Sequence, residues 1–504
     1  MRQNFFLQAS TPWWVALIQR KKFWLMLWLV PLASLLGLLM LEGIGMSPPT
    51  ESGFFPLRGG NLQEGGKTGL VITFSSEING YLTPCGCSKP MVGGIPRRAT
   101  LLKQLAKTYT LINLENGDLT KASGRQDELK AETLIDMLNQ LGYDALNLGE
   151  YDFKLGLPYL QALQQRFRGK MLCGNVVDGS GKPLFDAFTL LEKQHAGHPV
   201  KVLVVGLISE QHASTIRQYV PEVQVIPAAQ KLERLRQQLS AAADLRILLW
   251  HGDQQEAEQI ARQHPYFDLI VCAHCGDGPL QPKQVGKTRL VFSGNDAKFV
   301  GVAYLHRSSG ETASPPNGDN SSIAPAYTVA RVEHIRLTED FKEDADTLQV
   351  KLGYLAQVEG EALLLQVARR PTLNGDTFAG SRACRPCHSE DYRIWERSKH
   401  AKAMQTLIDE KHDKDPECVV CHVVGLEFES GFVSMEKTPH LKDVGCESCH
   451  GPARKHVQDP LNNKLGKAGE SSCMQCHVPA HSPNFDFQTY WKQIEHGHSL
   501  RENK

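Results

Sequence analysis

The chain has no excess of charge of either sign: 55 basic residues balance 55 acidic ones over 504 residues. A neutral molecule projects no net field, so composition excludes a general polyanion binder, and no segment carries a nucleic-acid signature. Long uncharged apolar runs do not recur after residue 41, which leaves one candidate membrane span. Cysteine is sparse over the first three quarters, with five residues before position 384, so no cysteine framework runs through the chain. The "GGKT" at 65–68 lacks a P-loop: the first glycine that motif requires is Asn61, and no strand precedes it. The length itself excludes a single compact core and points to two or three domains.

What is present begins at the N-terminus. Nineteen uncharged residues, Phe23 to Leu41, follow the cluster Arg20, Lys21 and Lys22. As a helix they extend roughly 28 Å, close to the hydrocarbon thickness of a bilayer. The cations keep residues 1–22 in the cytoplasm and send the remainder outside. The run exceeds the apolar core of a cleaved leader, and "GIGM" is a poor cleavage site. The expectation is a single-pass anchor at 23–41 in the inner membrane, a Pro- and Gly-rich tether at 42–68, and a soluble part in the periplasm.

From residue 69 to about 306, short apolar runs such as "GLVITF", "VKVLVVGL" and "FDLIVCAH" alternate with amphipathic ones such as "AETLIDMLNQLGYDALNLG". That alternation predicts an α/β domain with a buried sheet and with its sites on the loops after the strands. A loop, a strand ("YTVARVEHIRL") and a helix occupy 307–380.

Cysteine and histidine crowd into 381–504. Eight of the 13 cysteines lie between Cys384 and Cys476, and 11 of the 19 histidines follow position 381. Four motifs stand there: Cys384, Cys387, His388; Cys418, Cys421, His422; Cys446, Cys449, His450; and Cys473, Cys476, His477. A zinc site built from paired Cys-x-x-Cys units gives no reason for a histidine after every pair. Covalent haem does, because the thiols add to the vinyl groups and the adjacent imidazole becomes the proximal iron ligand. The expected cofactors are therefore four c-type haems. His400 follows His388 by 12 residues, about 18 Å along a helix, so it caps another iron than its neighbour's. Some 118 residues are little polypeptide for four macrocycles, so haem faces must supply most of the core.

The stretches "CRPCHSEDYRIWERSKHAKA", "DPECVVCH", "VGCESCHGPARKH" and "CMQCHVPAHSPNFDFQTYWKQIEHG" resemble tetrahaem cytochromes of the c-554 type. The resemblance implies closely spaced haem pairs passing single electrons, mostly bis-histidine ligated. His400, His456 and His496 match the positions of distal ligands, with His440, His481 and His498 as weaker candidates. Which iron each caps stays open. One iron in that family's type member lacks a sixth protein ligand, which leaves room for an open coordination position here.

The α/β segment resembles calcineurin-like metallophosphatases of the 5'-nucleotidase type, through "ITFSSEINGYL", "GGIPRRATLL", "INLENGD", "YDALNLGEYDF", "LLWHGD", "YFDLIVCAH" and "FSGNDAKFVGVAYL". The resemblance implies an αββα sandwich whose loops hold two metals that activate water against phosphate esters. The ligands here depart from that set. Glu77 and Asn79 replace the first Asp-x-His, Glu150 replaces the bridging Asn, Tyr151 replaces the catalytic His, and Gly276 replaces the last ligand. Asp118, His251 and His274 are retained. A phenol holds its proton to about pH 10 and cannot act as that imidazole does, so phosphatase chemistry is expected to be lost. Glu77, Asp118, Glu150, His251 and His274 remain as candidates for one further metal. Cys85, Cys87 and Cys275 fall on loops at the same sheet edge, with metal, disulfide and dithiol redox readings open, whereas Cys272 and Cys173 read as buried small hydrophobes.

The fold class expected is thus a metallophosphatase-like α/β sandwich, a mainly α-helical haem-dominated cytochrome domain, and one transmembrane helix. The function expected is electron transfer with a redox partner protein or a quinone-pool enzyme, and no nucleic acid. The enzymatic alternatives are turnover of a small nitrogen or sulfur compound at an open haem, and residual phosphoesterase activity.

Overall fold

The computed structural model describes residues 67, 69–84, 90–239, 243–276, 278–307, 327–372, 374–479 and 481–497. The expected anchor at 23–41, Cys85, Cys87 and His498 lie outside them. Among the described residues no helix is long and apolar enough to cross a membrane.

Two six-stranded sheets form the first body. In one, the strands run in the order Tyr327–Arg336, Phe299–Arg307, Gly69–Ser75, Tyr109–Asn116, Ala145–Asn147, Lys170–Leu172. The last four are mutually parallel, while the first two are joined antiparallel at one edge. The other sheet runs Lys283–Val285, Thr288–Phe292, Leu269–Cys272, Leu245–His251, His198–Ile208, Phe188–His195, parallel in the centre with antiparallel strands at both edges. Strands such as Leu245–His251 are buried on both faces and so read as unbroken apolar runs.

Ile72, Leu114, Ala145, Val202, Ile247, Leu249 and Val271 meet between the sheets. The helix Arg125–Gln140 covers the outer face of the first sheet with Leu134, Met137 and Leu138. Leu232, Leu235 and Ile260 of the helices Ala228–Leu239 and Gln254–Gln263 cover the second, against Trp250 and Phe292. The layering is helix, sheet, sheet, helix, as the sequence reading expects. The strand Tyr327–Arg336 and the helix Ala345–Gly360, which followed residue 307 as an extension, are built into these layers: the strand closes the first sheet, and Tyr354 and Val358 join its helical cover.

The cysteine-rich tract consists of short helices, among them Ser389–Arg397, Pro416–His422, Cys446–His450 and Arg454–Gln458. One small apolar cluster, including Met404, Leu407, Val419, Val424 and Phe432, is the protein's own core there. The helix Ser389–Arg397 buries no residue at all. The tract rests on the α/β body where Gln126 Nε2 donates to Asp415 Oδ1 at 2.6 Å, Lys130 pairs with Glu417, and the Tyr81 and His481 rings meet at 6.2 Å.

Candidate functional site

Five loops at the carboxyl ends of the parallel strands converge on one point, as open α/β sheets favour. Glu77 follows the strand Gly69–Ser75, Asp118 follows Tyr109–Asn116, Glu150 follows Ala145–Asn147, His251 ends Leu245–His251, and His274 follows Leu269–Cys272. Glu77, Asn79, Asp118, His274 and Asp296 all adopt φ between 51° and 56°. Such left-handed backbone costs about 1 kcal/mol or more at a non-glycine residue, and its concentration in these loops marks a site held against strain.

Asp118, Glu150, His251 and His274 bring one donor atom each to within 4.8 Å of one another. Glu150 Oε2 lies 3.0 Å from His251 Nε2 and 3.2 Å from His274 Nε2, and the two Nε2 atoms are 2.9 Å apart. Asp118 Oδ1 accepts from Tyr151 N at 2.8 Å, while its buried Oδ2 makes no hydrogen bond and stands 3.4 Å from His251 Nε2. His251 Nδ1 donates to Asn116 O at 2.6 Å, which turns its Nε2 inward. Asp152, buried, accepts from Asp118 N, Leu119 N and Gly149 N and ties two of the loops together. Gly149 gives the room: a Cβ there would stand 2.3 Å from Asp118 Oδ1 and 2.5 Å from His251 Nε2.

The electrostatics follow from burial among opposite charges. Burial works against the Glu150 carboxylate, yet hydrogen bonds from His251 and His274 hold it well below the ordinary carboxylate range. Burial likewise opposes the His251 imidazolium, and Asp118 and Glu150 overcome it, raising His251 well above the usual histidine value. Asp152 is pushed up to about 7, by burial first and by Asp118 second.

The remaining expected ligands behave differently. Glu77 Oε2 accepts from His274 N at 3.0 Å, and its Oε1 lies 3.6 Å from His274 Nδ1, so it backs that imidazole. Asn79 Nδ2 donates to Asp296 Oδ1 at 3.0 Å. Gly276 offers no side chain. Cys275 stands outside the four-residue cluster: its thiol donates to Ala273 O at 3.0 Å and packs with the apolar cluster over the second sheet, and its expected companions Cys85 and Cys87 lie outside the described residues. Burial pushes that thiol up to about 12. Cys272 and Cys173 are fully buried.

Sequence reasoning missed His212. It ends the turn Glu210–His212 after the strand His198–Ile208, with Nδ1 3.6 Å from Glu150 Oε1 and its ring 4.7 Å from that of His274. The signal was available, because "SEQH" follows a buried strand directly, the position from which the other site residues come.

In the cysteine-rich tract, three pairs of imidazoles face each other across the fold: His388 and His456 at 6.2 Å between ring centres, His400 and His477 at 6.2 Å, His450 and His496 at 5.8 Å. Two imidazoles sharing one iron, each bonded at about 2 Å, have ring centres roughly 6 Å apart. Backbone carbonyls hold the outer nitrogens: His450 Nδ1 donates to Gly466 O at 2.8 Å, His456 Nδ1 to Asn463 O at 2.7 Å, and His496 Nδ1 to Ile494 O at 2.7 Å. His477 Nδ1 meets Ser482 Oγ at 3.0 Å, and His422 Nδ1 meets Ala403 O at 2.6 Å. Each Nε2 is thereby left for metal. These residues fit the haem that the motifs imply. Among the described residues no second imidazole faces His422 at this spacing. Of the weaker distal candidates, His440 lies against Gly380 and His481 against Tyr81, neither opposite a motif histidine.

Hydrogen bonds beside the attachment thiols show which motifs adjoin. Cys446 N donates to Ser381 Oγ at 3.1 Å on the turn that ends at Cys384, Ser472 Oγ beside Cys473 donates to Cys449 O at 3.4 Å, and Cys476 Sγ donates to Cys421 O at 3.9 Å. The four motifs therefore form a line in the order first, third, fourth, second. His412, Asp415 and Cys418 also cluster within 4.8 Å, but Cys418 is an attachment thiol of the second motif.

Comparison with known proteins gives two separate likenesses. Residues 383–451 match the family model "Cytochrome c554 and c-prime", which takes in the first three motifs. Cytochrome c-554 of Nitrosomonas europaea is 36% identical over 110 residues, 19% of this chain and 46% of that protein. A 5'-nucleotidase of Vibrio cholerae is 25% identical over 300 residues, 51% of this chain and 53% of that protein. The chain thus spans about half the length of the curated relatives it matches. A 5'-nucleotidase precursor from Thermus thermophilus overlays with a TM-score of 0.47 at 17% identity, covering 74% of this chain and 73% of that one. Along its length the chain joins a metallophosphatase-like domain similar to 5'-nucleotidases to a C-terminal region similar to cytochrome c-554.

Proposed function

We propose that the protein is a membrane-anchored tetrahaem c-type cytochrome of the periplasm that passes electrons, with its altered phosphatase domain serving as the docking, metal-binding or redox-partner face. The three facing imidazole pairs carry this reading. Haem, when bound, supplies one-electron chemistry. The chain's residues would supply the rest: eight thiols would attach the groups, His388, His422, His450 and His477 would hold the irons, and His456, His400 and His496 would give three of them a second imidazole. The motif order gives a linear relay with the His422 position at one end. Either a redox partner protein or a quinone-pool enzyme would exchange electrons with it, and the uncharged run at 23–41 supports an inner-membrane location.

Tyr81 lies on the loop that carries Glu77, and His481 follows His477 by four residues, so the relay and the altered site share a seam. That proximity supports docking of a partner or substrate at the domain's loop edge. Tyr151 stands where the phosphatase imidazole would be, under the Lys154 ammonium at 4.1 Å, and burial raises its phenol further. Phosphoester hydrolysis is therefore not expected.

Mass spectrometry and a pyridine haemochrome assay on the purified full chain should give four covalent haems, and electron paramagnetic resonance should show three low-spin centres. Fewer than four haems defeats the proposal. A second reading is favoured by the lone His422: its iron would be open and would act on a small nitrogen or sulfur compound. A high-spin signal that changes on adding such a ligand supports that reading, and four low-spin signals remove it. Turnover of a generic phosphate ester with Mn or Zn supplied would restore the hydrolase instead.

A further inference from the structure

We infer that the altered site holds one divalent transition-metal ion and not the phosphatase pair, through Asp118, Glu150, His251 and His274, with His212 positioning Glu150. This deepens the metal-binding part of the functional reading above and is independent of the haem count.

The first half of the pair is short of donors. A neutral Asn79 amide, its Nδ2 donating to Asp296, stands in place of an imidazole, Gly276 has no side chain, and both carboxylate oxygens of Glu77 are turned to His274. A pair of metals about 3.5–4 Å apart needs donors on both sides. Here all four converging donors lie within 4.8 Å of one another, the span of a single coordination sphere.

Three observations point to a cation at that centre. Asp118 Oδ2 is buried without a hydrogen bond and faces His251 Nε2 at 3.4 Å. Two Nε2 atoms and a Glu150 oxygen crowd to between 2.9 and 3.2 Å, where a metal would take the place of the protons that the imidazoles otherwise lend to Glu150. Both histidines have their other nitrogen beside an oxygen, Asn116 O for His251 and Glu77 Oε1 for His274, as metal-ligating imidazoles do. Two carboxylates with two imidazoles suit Mn(II), Fe(II) or Zn(II) over calcium or a soft thiolate-seeking ion. His212 stands over His274 and beside Glu150 Oε1, the oxygen that His251 and His274 leave unused. It acts through Glu150 as a positioning residue.

The test uses the full-length haem-loaded protein, stripped with chelator and titrated with Mn(II). Dithionite keeps the low-spin haems ferrous and magnetically silent. The expected result is one equivalent bound and an isolated six-line Mn(II) spectrum. Two equivalents with an exchange-coupled multiline spectrum overturn the inference of a single ion while leaving metal binding standing. No binding above the level of the His251→Ala variant overturns metal binding itself. His212→Ala should weaken Mn(II) affinity about tenfold, and His212→Gln, which keeps a donor toward Glu150, should recover most of it. Unchanged affinity in His212→Ala overturns the role of His212. Unchanged protease resistance of the α/β body in each variant confirms that it has folded.

Discussion

Arg98 shows how much a single residue can fix in this fold. It is wholly buried, with Nη1 donating to Ser75 Oγ at 2.8 Å, Glu115 Oε2 at 2.9 Å and Tyr143 Oη at 3.1 Å, joining one helix to two strands and the loop before a third. Burial opposes both charges of the Arg98 and Glu115 pair: at Arg98 the attraction of Tyr143 and Glu115 outweighs it and raises the guanidinium, whereas at Glu115 burial outweighs Arg98 and raises the carboxyl. Arg98→Met should cost about 3–5 kcal/mol because it leaves Glu115 charged in an apolar interior, whereas the double variant Arg98→Met with Glu115→Leu should recover most of that. Denaturant midpoints of the two variants decide the matter, and equal losses in both would contradict it. Neither partner announced itself in sequence. Arg98 and Glu115 sit in "GGIPRRATLL" and "INLENGD", stretches that carry family resemblance, but a burial of charge is set by which strand lies beside which helix. His212 escaped for a different reason: one histidine after one strand has no repeat to single it out, as the four Cys-x-x-Cys-His motifs had.

At the scale of elements, periodicity was the readable signal and pairing was not. Runs such as "VKVLVVGL" gave the central strands because both of their faces are buried, and the residue types after them gave most of the loop site. Short elements carried less: Ala145–Asn147 has three residues, yet it positions Glu150. Imidazole pairing was unreadable because each partner comes from a distant turn and only the folded tract brings it across. The helix Pro416–His422 shows how the two bodies cooperate. Its N-cap, Asp415, accepts from Glu417 N at 3.1 Å and from Gln126 of the α/β body at 2.6 Å, and burial of its carboxylate is outweighed by His412 and Lys130, which hold it below its usual range. Asp415→Ala should destabilise the tract by about 1–3 kcal/mol, and Asp415→Asn, which can still cap, by less. Thermal melts followed at the haem band would check this, with the His422 centre expected to respond first because this helix carries it.

For the whole molecule, the contrast between the bodies predicts how each fails. Among the described residues the α/β body has four apolar clusters around its sheets, while the tract has one small cluster and several helices with little buried surface. Replacing the eight attachment cysteines with serine should therefore leave the two sheets and their covering helices protease-resistant and open the chain beyond about 380 to digestion. A tract that stayed resistant without haem would refute the view that the macrocycles form its core. The facing histidines are also interleaved along the chain: the span from His388 to His456 overlaps that from His400 to His477, which in turn overlaps that from His450 to His496. Once iron bridges them, the polypeptide is threaded like a pseudoknot, and a single nick between residues 400 and 450 falls inside two arcs at once. The fragments would then migrate together under native conditions and separate only when acid protonates the imidazoles off the metal.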